Sequence, residues 1–159
     1  MPRNRPGALR ARRSRALPHT RETPPPVRIP GLSARTSLTI HRVESASDGF
    51  LIRVGATGDA LRRYRAFLSR PGLRPLYPHE AFCPSCPGCA LDDVRHARDV
   101  LAEILPLLPP RARGELRRAL LTLDRRYRTR TLPDPLAAAR GEAPWWHGRL
   151  ADGAEGWGV

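Results

Sequence analysis

Apolar and polar positions change their period along this chain, and those changes divide it. In "TSLTIHRVES", Leu38 and Ile40 alternate with Thr39 and His41, a period of two that predicts a strand. "ASDG" (46–49) is a turn signal, and "FLIRVGA" then places Phe50, Ile52 and Val54 on one face. Together these predict a β-hairpin, which must pack on something because two strands alone are marginal. The period then lengthens. "TGDALRRYRAFLSRPG" carries Leu61, Tyr64 and Leu68 at helical spacing, with Thr57 or Asp59 to cap it and Pro71-Gly72 to end it.

Two further helical stripes follow. Val94, Ala97, Leu101, Ile104 and Leu105 predict a helix from about Ala90, with Asp92 and Asp93 in its first turn and Pro106 as its stop. Pro109-Pro110 opens another, in which Leu116, Ala119, Leu120, Leu123 and Tyr127 share a side. A connection this short predicts an antiparallel pair whose facing stripes form the main core. The expected fold is therefore small α+β: an N-terminal β-hairpin plus short helix, a cysteine knuckle, then an antiparallel two-helix hairpin.

Residues 1–36 show no such period. They are rich in Arg and Pro, and "TPPPVRIPG" suits an extended linker. They read as a disordered arm, residues 37–132 as the folded domain with its knuckle at 79–93, and residues 133–159 as a tail carrying Trp145, Trp146 and Trp157. Three tryptophans at a terminus suit an anchor docked on the core; base stacking or a protein partner is the alternative.

Charge adds a partner class. The 159 residues carry a net charge of +13, and every basic residue is Arg. The first 36 residues hold nine Arg against Glu22 alone, so the arm carries +8 and the remainder +5. Such a balance attracts polyanions, mainly nucleic acid or an anionic membrane surface. Within the folded part, Arg111, Arg118 and Arg125 recur every seven residues opposite the apolar stripe, with Arg117 and Arg128 on the flank and Arg62, Arg63 and Arg65 on the first helix. Guanidinium rows of this kind contact phosphates. Glu115 and Asp124 interrupt the field, and a solvated helix face would look the same.

The three cysteines are compact. "FCPSCPGCALDDV" holds two overlapping Cys-x2-Cys units, Cys83, Cys86 and Cys89, in turns that aim sulfurs at one ion. Zinc takes four ligands, so a fourth is needed. His96 lies seven residues past Cys89, about 10 Å along a helix at ~1.5 Å per residue, too far for one ion, and reads as a surface histidine beside Asp92 and Asp99. His79, on a loop four residues before Cys83, ranks first and Asp93 second, then water or a partner's residue; after structural zinc, the next reading is three inert or loosely reactive thiols. Iron–sulfur is a lesser alternative: the spacing resembles the first three cysteines of bacterial ferredoxins, but the next would fall at Asp93. A thiol redox pair of the glutaredoxin kind would need a buried strand before the motif, and "LRPLYPHEAF" is none.

Neither a Walker A, GxGxxG, GxSxG nor HExxH motif is present, and the histidines are scattered. No apolar run is long enough to span a membrane. An odd cysteine count without an export signal points to the cytoplasm. The sequence thus predicts a non-enzymatic, zinc-stabilised accessory or regulatory module that binds nucleic acid or another polyanion. The alternative is a protein-interaction module built on the helical hairpin and Trp tail.

Overall fold

A computed structural model describes residues 27–72, 75–80, 92–139, 141 and 144–152. These form four helices: α1 (Ala34–Ser45), α2 (Ala56–Leu68), α3 (Val94–Leu107) and α4 (Pro110–Arg130). Among the described residues there is no strand, only an isolated antiparallel bridge between Pro133 and Arg149. The expected α+β class with its N-terminal β-hairpin is therefore overturned. Among the described residues the fold is all-helical.

The first expected strand is α1. Ser33 caps it, its side chain accepting from the Thr36 amide at 3.2 Å. The buried positions are Thr36, Ser37, Ile40 and Glu44, a helical row with one large apolar member. Leu38, half of the apparent alternation, is on the exposed side. The second expected strand is an irregular link: Phe50 is 90% exposed and Val54 68%, and only Ile52 is buried.

Glu44 ties the end of α1 to the start of α2. Its carboxylate is buried at the N-terminus of α2, accepting from the Gly55 and Thr57 amides at 2.8 Å each. His41 Nδ1 lies 3.2 Å from the same carboxylate. A negative group is favoured there by the unpaired amides and the helix dipole. Gly55, at φ +86°, starts α2 without a side chain of its own, so neither Thr57 nor Asp59 is the cap.

α3 opens on Asp93, whose side chain accepts from the Arg95 amide at 2.8 Å. Ala90, the expected start, lies outside the described residues. Pro106 does not stop the helix; it sits in the last turn, and α3 continues to Leu107. Arg113 of α4 then donates to the Pro106 and Leu108 carbonyls at 2.7 and 3.1 Å, satisfying acceptors that the ending helix leaves over. α4 opens on Pro110, as the prolines predict.

The buried cluster joins Ile40 of α1, Leu61, Tyr64 and Leu68 of α2, Leu101 and Ile104 of α3, and Leu116, Leu120 and Tyr127 of α4. α3 packs most extensively on α2 rather than on its sequence neighbour α4. The expectation that the last two stripes form the main core is thus corrected: α2 holds the centre. Ile29 and Leu32 are buried in the same core, which reaches into the stretch assigned to the arm.

Candidate nucleic-acid interface

The long helix α4 divides its charges by face. Arg111, Arg117, Arg118, Arg125 and Arg128 are all exposed. Its two acids are not available to that surface in the same way. Asp124 belongs to the buried row with Leu116, Leu120 and Tyr127. It accepts from Arg98 Nε (3.0 Å), Arg98 Nη2 (3.1 Å) and the Tyr64 hydroxyl (2.9 Å). Burial, then the Asp124 charge, pushes the Tyr64 pKa well above the ordinary phenol range. Glu115 is tied to the start of α1, accepting from the Ser33 amide, the Ser33 hydroxyl (2.9 Å) and the Thr36 hydroxyl. These bonds, from Thr36 first, hold its carboxyl below the usual carboxylate value. The acids that seemed to interrupt the basic field are engaged by the fold instead.

The α2 arginines are differently placed. Arg62 pairs with Asp59 of its own helix at 3.0 Å. Arg63 is partly buried and donates to the Asp93 carbonyl at 3.1 Å; burial lowers its pKa from the ordinary arginine value. Arg65 is partly buried and packs close over Gly31. Arg63 lines a small groove of about 220 Å³ with Phe67, Arg70 and Val94. The α4 arginines line another.

That second groove, of about 680 Å³, is bounded by Arg117, Arg125 and Arg128 of α4 and by Leu105, Leu120 and Leu121. Arg98, Thr129 and Trp145 complete its wall, together with Asp124, whose charge is paired with Arg98. Sequence reasoning missed Arg98, although its position was readable. Val94, Arg98 and Leu101 follow helical spacing, so a charged residue stands inside an apolar stripe, and Asp124 stands in the corresponding row of α4. Opposite charges in two core rows signal a buried pair.

The tryptophans dock on the core. Trp145 meets the Tyr127 ring edge-on at 6.0 Å, and Arg128 lies over it at 4.0 Å. Trp146 donates its indole N–H to Asp99 (2.7 Å), beneath Arg98 at 4.2 Å. His147 Nε2 lies 2.9 Å from the same carboxylate, and the Tyr127 hydroxyl donates to the Trp146 carbonyl at 3.3 Å. Arg149 donates to the Arg128 and Thr131 carbonyls, closing the C-terminus of α4. Trp157 lies outside the described residues.

Cys83, Cys86 and Cys89 also lie outside them. His79 is described: its Nδ1 donates to Asp152 at 2.9 Å, and that bond with the Asp152 charge raises its pKa from the ordinary histidine value. Asp93, the second choice, has both oxygens engaged by Arg95 at 2.9–3.1 Å. His96 is partly buried rather than fully on the surface, and burial, then Arg63, lowers its pKa. Among the described residues no three metal-capable side chains converge, and no helix is long and apolar enough to cross a membrane.

No protein-family model, characterised protein or solved structure matches the chain.

Proposed function

We propose that the protein is a non-enzymatic module that binds nucleic acid through the solvent face of α4. The observation that carries this reading is the separation of charge on that helix. Seven arginines stand exposed along it, Arg113 and Arg126 besides the five named above, while Glu115 is held by α1 and Asp124 is buried against Arg98. A cationic row on a 21-residue helix suits the regular negative charge of a phosphate backbone. The α2 arginines are secondary to it, since Arg62 and Arg63 are engaged locally.

Zinc held by Cys83, Cys86, Cys89 and His79 would stabilise the link between α2 and α3. The His79–Asp152 bond supports that ligand set, because histidines that ligate through one nitrogen commonly have the other oriented by a carboxylate. Asp93 suits it poorly, being committed to Arg95. Metal analysis of protein purified without oxygen is expected to find about one equivalent of zinc. A preparation with essentially no metal would remove this part of the proposal.

The test of binding is titration of labelled DNA and RNA at low salt, repeated as salt rises. Log affinity is expected to fall linearly with log salt. The combined change Arg111→Ala, Arg118→Ala and Arg125→Ala should flatten that slope by roughly two to three, about 0.7–0.9 per lost phosphate contact. Failure to retard either polymer at low salt would end the reading.

A further inference from the structure

On the nucleic-acid reading, the groove between α3 and α4 says more about the polymer than the arginine row does, and its assignment rests on that reading. A duplex presents phosphates outward and keeps its base faces stacked within. For such a partner a row of arginines on a convex helix is sufficient, and an apolar cleft among them is a disadvantage, since it meets only charge. Here the arginines rim a cleft with apolar side chains in it. Leu121 is 56% exposed, and Leu105 and Leu120 continue the surface inward. Its volume, about 680 Å³, is within the usual range of small-ligand clefts, roughly 300–1,000 Å³.

One polar feature fits a base, and a second fixes the wall of the groove. Arg128 lies over the Trp145 ring, which holds a planar guanidinium at the rim where a base can stack. Arg98, nine-tenths buried, lines the same groove and is fixed by Asp124 through Nε and Nη2. Its Nη1 is buried with no hydrogen-bond partner among the described residues. That atom is shut off from solvent, so Arg98 shapes the wall and the charge of the groove rather than offering a base a free donor.

We propose that this groove seats a nucleotide of a single-stranded nucleic acid, its base against Leu105, Leu121 and the Arg128–Trp145 stack and its phosphates on Arg117 and Arg125. Single strands expose apolar base faces and one phosphate per nucleotide, which matches the alternation of leucine and arginine around the cleft. An acidic peptide with apolar anchors would match the charge, yet it has less use for the planar stack.

The experiment compares a labelled single strand of mixed sequence with a duplex of equal length, both on the full chain at low salt. The wild type should prefer the single strand by about fivefold or more, the ratio expected of one stacked base. Leu121→Arg adds charge to the rim while blocking the cleft, so it should abolish that preference and hold or raise duplex affinity. Leu121→Ala should weaken the single strand alone. Circular dichroism would show that both variants keep their helices, as the exposure of Leu121 leads one to expect. Equal wild-type affinity for the two polymers, or a Leu121→Arg variant that binds both more tightly, overturns the cleft while leaving the arginine row standing. Binding to neither overturns the functional reading itself. A leucine-containing acidic peptide that displaces the single strand more effectively than unlabelled single strand would assign the groove to a peptide and overturn this proposal.

Discussion

Asp124 stands where a core leucine would continue the row of Leu116 and Leu120. Its place is tolerable because three donors meet it: two from Arg98 and one from Tyr64. A buried pair of this kind contributes little net stability over an apolar pair of equal volume, but breaking one partner leaves a charge without compensation. Asp124→Ala is therefore expected to cost about 3–5 kcal/mol, measured by urea denaturation. The triple change Arg98→Met, Asp124→Leu and Tyr64→Phe, which also removes the hydroxyl otherwise left without an acceptor, should recover most of that loss. A single change costing under about 1 kcal/mol would mean that the pair is open to water and screened. The same residue shows a limit of reading charge along a helix. As a number in a basic run Asp124 lowers the field; as a buried residue it leaves the surface to the arginines.

At the scale of elements, α3 and α4 were legible because their stripes hold four or five large apolar residues each, and helical spacing is then unambiguous. α2 was legible for the same reason. α1 was not. Its buried row contains two hydroxyls and a carboxylate beside Ile40, so the apolar count could not show its period. The visible pair Leu38 and Ile40 mimicked a strand, and β-branched threonines reinforced the impression. Ser33 as an N-cap was the available signal. What sets α1 in place is a contact that sequence spacing does not reveal, the Glu44 carboxylate on the first amides of α2. Removing it leaves two donors near the core without an acceptor. Glu44→Ala should lower stability by about 2 kcal/mol or more in thermal or urea unfolding. Hydrogen exchange at the Gly55 and Thr57 amides should accelerate ahead of the rest of α2. Glu44→Gln, which keeps one oxygen acceptor, should lose less. Unchanged exchange at both amides in the alanine variant would refute the capping role.

Over the whole molecule, a strongly cationic chain folds by placing its few acids at specific termini and core positions. Asp93 caps α3, Glu44 caps α2, Asp124 pairs with Arg98, and Glu115 joins α4 to the start of α1. The candidate interface follows from this economy of acids, and it was only half legible: spacing showed the α4 row, but the groove needs Trp145 brought back across the core. Glu115 offers the clearest pH test of the arrangement. Its folded pKa is depressed, by hydrogen bonds first from Thr36 and then from Ser33, below the ordinary value of 4.5. As pH falls, the unfolded chain therefore takes up the proton first. The stabilisation from Glu115 is complete above 4.5 and is lost as pH drops through the lower folded value. Glu115→Gln removes the titration and retains the shape. Melting temperature should thus be higher in the wild type at neutral pH, by a few degrees at most for a partly exposed tie, about what 1 kcal/mol gives at this size. The gap should stay level above 4.5 and narrow as pH falls below it. His96, whose pKa burial lowers, adds its own acid sensitivity at higher pH, but it is common to both chains and cancels in the difference. A gap that persists undiminished at about pH 3 would mean that the contact does not depend on an ionised carboxylate, and that α1 is held to α4 by the neutral hydrogen bonds of Ser33 and Thr36 alone.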